Sequence, residues 1–567
     1  MEHREPSPSR IDEEAELLAA HSRRKFLGIA GSLIVGGGLA ACGQDGGGTA
    51  VENTVSSASE TTTTVASAPA ASGSAVEAIT EVGLQPQAIA PEPRVGPSQF
   101  VRIFEESDLR GQVSSLADAL VELGQPGGIL DANESVEAGA LALLNQPELS
   151  ADNPDNPTMQ AGATFFGQFL NHDITHDAGA RLGRPTGLER SANLRTARLD
   201  LDSVYGRGLN GSRELYDDNF RFIVESGGFY EDLPRDAQGA AIIGDNRNDE
   251  NLITSGMHAA FLLFHNNLME ALEEMGLSSE EAFPQARQLA RWHYQWITLH
   301  EFLPAIVGQE MVDDILANGR QFYTPAIPQI PVEFQTSAYR FGHSLVRASY
   351  QANSSGDNGD PFIAMVFDVS LPASSDPDDL RGGHRAPRRY IDWESFFDFE
   401  GVQTADRAKL IDTKFTSPLF RLPSIVLEEG LDQDVGVASL ATRNLLRHLT
   451  WEVATGQTVA NRMGVEPLSA ADLELFNGFG ADFAAETPLW LYVLREAEVI
   501  NGGTHLGPVG GRIVAEVIIG LLEMDSASFV SAEPNWVPTL PAYGEPETFN
   551  MADLLTIAGV DPRSRRS

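Results

Sequence analysis

The stretch Thr164-Phe-Phe-Gly-Gln-Phe-Leu-Asn-His-Asp-Ile-Thr-His-Asp177 sets amide and ionisable side chains into an otherwise apolar helical run. Gln168 and His172 stand four residues apart and share one helix face, while Asp173 points about a quarter turn away. One face can serve a reaction and the other an ion. His172 and His176 also have the i, i+4 spacing of the zinc-protease H-E-x-x-H pattern, but Asp173 stands where that chemistry needs the longer glutamate.

Around this stretch lies a chain of 567 residues with 42% apolar content, ample for a large buried core. Eighty acidic residues against 39 basic give a formal charge of -41. That balance argues against nucleic acid and against an electrostatic grip on anionic membrane. The single cysteine, Cys42, excludes an intrachain disulfide framework and a cysteine metal cluster. Arg23 and Arg24 precede about 15 apolar residues, an export address too short for a comfortable membrane span. The Leu39-Ala-Ala-Cys42 ending resembles a bacterial lipobox, which implies an extracytoplasmic protein held at the membrane only through an N-terminal lipid anchor. Residues 1–42 are therefore expected to be the signal segment. Residues 43–97, Gly/Ser/Thr/Ala/Val-rich and then Pro-rich without a period, are expected to be a flexible linker. Residues 98–567 are the folded domain.

Periodicity in that domain is helical. It predicts helices over Asn251–Glu274, Ser279–Val307 (interrupted or entered at Pro284), Phe334–Arg347, Leu440–Leu449, Ala470–Phe476, Leu489–Val499, Val509–Met524 and Met551–Ile557. Asn353–Asp360 and Ser374–Pro387 read as loops. The expected fold is mainly α, one large helical domain with long loops and little β, whose sites lie between facing helices.

A second reading of His172 is a proton shuttle. A neutral imidazole can take a proton from the near oxygen of a peroxide and return it to the leaving one, given a cationic partner and a metal opposite. Candidates follow downstream: Arg247 in Gly244-Asp-Asn-Arg-Asn-Asp-Glu250, and His343 in Tyr339-Arg-Phe-Gly-His-Ser344. Thr196-Ala-Arg-Leu-Asp-Leu-Asp-Ser-Val-Tyr-Gly206 alternates oxygen-bearing positions, which an extended loop can turn to one side for a hard cation.

Taken in order, these motifs resemble the animal-type haem peroxidase family of the peroxidase-cyclooxygenase superfamily, over roughly Thr164 to Gln457. The resemblance implies His172 as distal acid and base, Gln168 as a distal hydrogen-bond donor and Arg247 as the charge that assists O–O cleavage. It implies His343 as the ligand of haem b iron, Asn444 as acceptor of the His343 N–H, and Arg340 and Arg447 as propionate contacts. Calcium would be held by Asp173, Thr196, Asp200 and Asp202 through side chains and by Arg198 through its carbonyl. Glu250 matches a carboxylate that in some members forms a haem ester. Asn171 and Asn251 depart from the positions of further covalent links, so one ester at most is expected and chloride becomes a poor candidate donor. The resulting expectation is reduction of hydrogen peroxide with oxidation of a halide, pseudohalide or small organic donor. Two alternatives are a fatty-acid dioxygenase, whose radical tyrosine would fall at Arg340, and a surface adhesion protein with weak peroxidase activity. No protein partner is implied.

Overall fold

The computed structural model describes residue 76 and residues 98–106, 113–177, 179–372, 374–427, 438–542 and 544–565. The expected signal segment, Cys42 and all of the linker except Val76 lie outside them. Among the described residues no helix is long and apolar enough to cross a membrane.

Helices dominate, and the described strands form only two-stranded antiparallel sheets. Eight helices matter here: α1 (Val113–Leu123), α2 (Ala161–Ile174), α3 (Leu252–Glu274), α4 (Ser279–Ile297), α5 (Leu440–Thr450), α6 (Leu489–Asn501), α7 (Pro508–Met524) and α8 (Met551–Ile557). Helix α2 contains the decisive stretch and is central. Gly162 admits it against Phe397, since a Cβ there would stand 2.3 Å from that ring. Phe165, Phe166, Phe169 and Leu170 are buried. Phe169 stacks on Phe261 of α3 at 4.7 Å and meets Tyr294 of α4 edge-on. Each such ring contributes ~1.5–3 kcal/mol of burial, and together they tie α2 to its two longest neighbours.

Helix α3 opens on Asn251, whose side chain accepts the Thr254 N–H, and α4 opens on a Ser278/Glu281 capping box. Residues 275–278 join them as a helical hairpin. Helix α4 runs through Pro284, then widens into a π-turn at Thr298–Phe302 and resumes at Leu303–Val307. Pro304 has no N–H to return to the preceding turn, a local reason for the ladder to shift there.

Three expectations need correction. The segment Phe334–Arg347 is not one helix: α-helix covers Val332–Thr336, Ser337 breaks it at φ -132° and ψ -76°, and a 3₁₀ helix covers Ala338–His343. Three residues per turn then align Arg340 with His343 on one face. Asn353–Asp360 is not a loop but the turn end of a hairpin, β1 (Ser349–Asp357) with β2 (Asp360–Met365). Its two-residue turn uses Asn358 at φ 55° and Gly359 at φ 98°, the positive φ values that favour such a hairpin. Ala470–Phe476 keeps only a 3₁₀ turn at Glu474–Phe476.

The chain after β2 braces the start of α3. Leu380 O accepts the Leu252 N–H, and the Gly382 N–H donates to Glu250 O. A Cβ on Gly382 would lie 1.8 Å from Asp249 O, so only glycine lets the two backbones approach this closely.

Candidate active site

Helix α2 and the 3₁₀ helix Ala338–His343 face one cavity, which is lined by Gln168 and His172 from the first and Arg340 and His343 from the second. Arg247, Glu250 and Arg447 also reach it. Sequence positions far apart are thus gathered around a single space.

On the α2 side, His172 is 5% exposed and its Nδ1 lies 2.9 Å from Asn248 Oδ1. An Nδ1–H donating to that amide leaves Nε2 with the lone pair. Burial, and then the Arg247 charge, push the His172 pKa down to about 3, so the ring is neutral at working pH. Arg247 is tied down. Its Nε and one terminal nitrogen donate to Asp245 at 3.0 and 2.7 Å, and its terminal nitrogens donate to the carbonyls of Thr175 and His172 at 3.0 Å. Burial would raise Asp245, but the Arg247 charge and hydrogen bonds hold it well below the usual carboxylate range. Gln168 Nε2 lies 3.3 Å from a Glu250 oxygen, while its Oε1 accepts from Asn251 Nδ2 and Thr254 Oγ1, each at 3.1 Å. Gln168 and Glu250 are therefore direct neighbours at the cavity wall.

On the other side, His343 Nδ1 lies 2.8 Å from Asn444 Nδ2, and Asn444 Oδ1 is buried with no partner among the described residues. Turning the amide over lets Oδ1 accept the Nδ1–H. The ring is left with an Nε2 lone pair. Burial, followed by the Arg340 and Arg447 charges, pushes the His343 pKa down to about 3.

The adjacent face of α2 meets the loop. Carboxylate oxygens of Asp173, Asp200 and Asp202 all lie within 4.8 Å of one another. Burial and then its neighbours Asp202 and Asp200 push Asp173 well above the carboxylate range, and burial and then Asp200 push Asp202 up to about 7. Thr196 Oγ1 joins the group by donating to Asp200 Oδ1 at 2.6 Å. The Arg198 guanidinium turns instead to Asp525 at 3.5 Å, which leaves only its backbone for the cluster. The loop is a series of bends and not an extended run; it closes at left-handed Leu201 (φ 59°), whose N–H donates to Asp173.

Three residues at the site were given no role by the sequence. Asp245 and Asn248 flank Arg247, so adjacency within the motif was a usable signal. Arg443 lines the cavity four residues before Arg447 on α5, the spacing that puts both on one face.

The donor set fits a flat, anionic, iron-bearing group. Arg247, Arg340, Arg443 and Arg447 line the cavity against one carboxylate, Glu250, and Arg447 Nε is buried without a partner among the described residues. An imidazole Nε2 whose Nδ1–H is anchored is a suitable axial ligand. Three crowded carboxylates with a hydroxyl likewise fit a hard cation such as Ca²⁺.

A mainly helical domain thus presents two neutral imidazoles to one arginine-lined cavity. Residues 180–368 match the family described as animal haem peroxidase. Peroxidasin homolog pxn-2 of Caenorhabditis elegans is 30% identical over 176 residues, 27% of this chain and 13% of that protein. Eosinophil peroxidase of Mus musculus is 25% identical over 205 residues, 31% of this chain and 28% of that protein. The matches thus span a minor part of these relatives' length. Among solved structures, Peroxidase A from Dictyostelium discoideum has a TM-score of 0.54 at 15% identity, covering 83% of this chain and 98% of that one. A fatty acid alpha-dioxygenase from Arabidopsis thaliana has a TM-score of 0.51 at 15% identity, covering 82% and 76%. These two similarities show the fold.

Proposed function

We propose that this chain is a haem-dependent peroxidase that reduces hydrogen peroxide and oxidises a small donor. The observation that carries this reading is the paired arrangement of His172 and His343, each neutral, each with Nδ1 set against an asparagine amide, and both lining one cavity. His343 would hold the haem, with Arg340, Arg443 and Arg447 meeting its carboxylates, and the bound group would supply iron for the two-electron reduction of the peroxide. His172 Nε2 takes the proton from one peroxide oxygen and delivers it to the other, so that water leaves. Arg247 adds positive charge beside that transfer, although its bonds to Asp245 fix its direction and share its charge. The Asp173, Thr196, Asp200 and Asp202 cluster, with the Arg198 backbone, would bind calcium and so hold the residue next to His172. Glu250 is the carboxylate available for one haem ester; Asn171 and Asn251 offer amides, which make no such bond. An N-terminal lipid anchor outside the cytoplasm remains part of the proposal.

The test is spectroscopic. Haem-loaded protein should change its optical spectrum on adding peroxide and return on adding donor. His343→Ala should lose the haem spectrum, whereas His172→Ala should keep it and react ~10²–10⁴-fold more slowly. Equal haem content and turnover in both variants would refute the assignment. Acid extraction tests the ester, since haem that stays with the protein requires a covalent link. Tyr339 favours a second reading: it lines the same cavity and its hydroxyl donates to Gly167 O at 3.2 Å. Oxygen uptake with a long-chain fatty acid, in place of peroxide consumption, would select a dioxygenase.

A further inference from the structure

A second cavity, of about 140 Å³, lies behind the wall of the first, and Ala163 and Phe302 line both. A cavity of roughly 150 Å³ in a protein core accepts benzene, so this one has room for a single six-membered ring. Its lining is aromatic and aliphatic, with Phe166, Phe302, Phe397 and Met159 buried around it. Thr158, exposed, marks its outer end.

One carboxylate, with the Gln160 amide and the Thr158 hydroxyl, interrupts this apolar surface. Glu301 comes from the π-turn Thr298–Phe302, and π-turns are uncommon and concentrate at functional sites. Its Oε2 accepts the Met551 N–H at the start of α8 at 2.8 Å, and its other oxygen has no hydrogen-bond partner among the described residues. Glu301 is half-buried, and this second oxygen is open to a hydrogen-bond donor placed in the cavity. Burial lifts its pKa to about 7, the Met551 N–H opposing and the Asp553 charge adding, so it can gain or release a proton near neutrality.

We propose that this second cavity binds a single-ring phenol as the electron donor, with the phenolic hydroxyl donating to Glu301 and the ring packed among Phe166, Phe302 and Phe397. The proposal rests on the peroxidase reading and names its donor class. Edge-to-face contacts with three phenylalanines favour an aromatic ring over an aliphatic alcohol of the same size. The wall shared with the first cavity is one side chain thick at Phe302. Each phenol gives one electron across that wall and its proton to the Glu301 carboxylate, leaving a phenoxyl radical. Two phenols are consumed for each hydrogen peroxide, which takes up two electrons and two protons to give two waters. Glu301 passes the protons on, and the neutral radical leaves.

The test uses the haem-loaded protein with phenol and benzene as probes. Calorimetry without peroxide should show phenol binding more tightly than benzene, and Glu301→Leu, which leaves the ring hydroxyl without a polar partner at this position, should erase that preference. Ala305→Phe fills the cavity. It should raise the phenol KM on the order of tenfold or more and leave the peroxide KM and haem content unchanged. A purely structural Glu301 would lower the melting temperature without changing the phenol-to-benzene ratio, and that result overturns the proposal. Crystals of the unaltered protein soaked in phenol need no variant: a ring between Phe166 and Phe397 supports the site, and a ring seen only beside His172 overturns it. A parent protein that binds phenol here and turns over no peroxide defeats the peroxidase reading. One that turns over peroxide with a phenol KM indifferent to Ala305→Phe defeats this one.

Discussion

Asp245 holds several groups in register. It caps the Asn246–Asp249 turn through the Arg247 N–H, grips the Arg247 guanidinium with both oxygens, and meets Arg195 at 3.3 Å while 1% of its side chain is exposed. Removing one partner of such a buried pair costs ~3–5 kcal/mol, because the other charge is left uncompensated. Asp245→Ala should therefore lower unfolding stability by that order in urea titrations and slow the peroxide step as Arg247 loses its direction. A parental midpoint and rate would show that Arg247 is held by its carbonyl contacts alone. His265 makes a different residue-level case. It is fully buried, its Nδ1 lies 3.0 Å from the Tyr205 hydroxyl, and burial pushes its pKa down to about 3. Because the unfolded ring takes a proton near 6.5 and the folded one does not, its contribution is complete above that pH. It is lost as pH falls from 6.5 toward 3, by at most ~1.4 kcal/mol per pH unit. The penalty of His265→Gln, measured by denaturant melts, should consequently be smaller at pH 5 than at pH 7.5.

At the scale of elements, the site depends on how closely the chain after β2 lies against the turn that opens α3. Gly382 is the point of closest approach, with Asp249 O 1.8 Å from where a Cβ would be. Gly382→Ala must push the two backbones apart, which costs ~1–3 kcal/mol and displaces the turn bearing Arg247 and Glu250. Thermal melting should fall and the peroxide rate should drop together; a folded variant with a parental rate would show that the brace does not position the turn. The 3₁₀ form of Ala338–His343 is an equally direct device. By aligning Arg340 with His343 it sets a cation and a neutral ring on the same wall.

Across the whole molecule two charge arrangements stand out. The carboxylates of Asp173, Asp200 and Asp202 join α2 to the 196–202 loop, and without a cation they repel. With calcium present, Asp202→Asn should melt below the parent; in chelator it should melt above it, because one of three crowded charges is gone. Curves that fail to cross would argue against a cation there. The chain as a whole carries -41, while the cavity sets four arginines against one glutamate. Anionic donors must approach against the net field, so their kcat/KM should rise with added salt, while that of a neutral phenol stays level. Equal salt dependence for both donors would count against long-range repulsion.

Periodicity alone located α5, α6, α7 and α8 to within two residues, because each is long or strongly patterned and ends at a local signal. Spacing alone also put Gln168 and His172 on one face and grouped Asp200 with Asp202. It misread 334–347, where the break at Ser337 has no Gly or Pro to announce it, and it passed over the hairpin turn at Asn358 and Gly359, a signal that was there to be read. What only the tertiary structure decided is who meets whom. Gly382 lies against a carbonyl at 249. The Glu301 cavity is assembled from α2, the π-turn, Phe397 and Met551. A sequence pattern reports which face of its own element a side chain takes; which distant element covers that face is settled by packing, and the donor pocket exists only there.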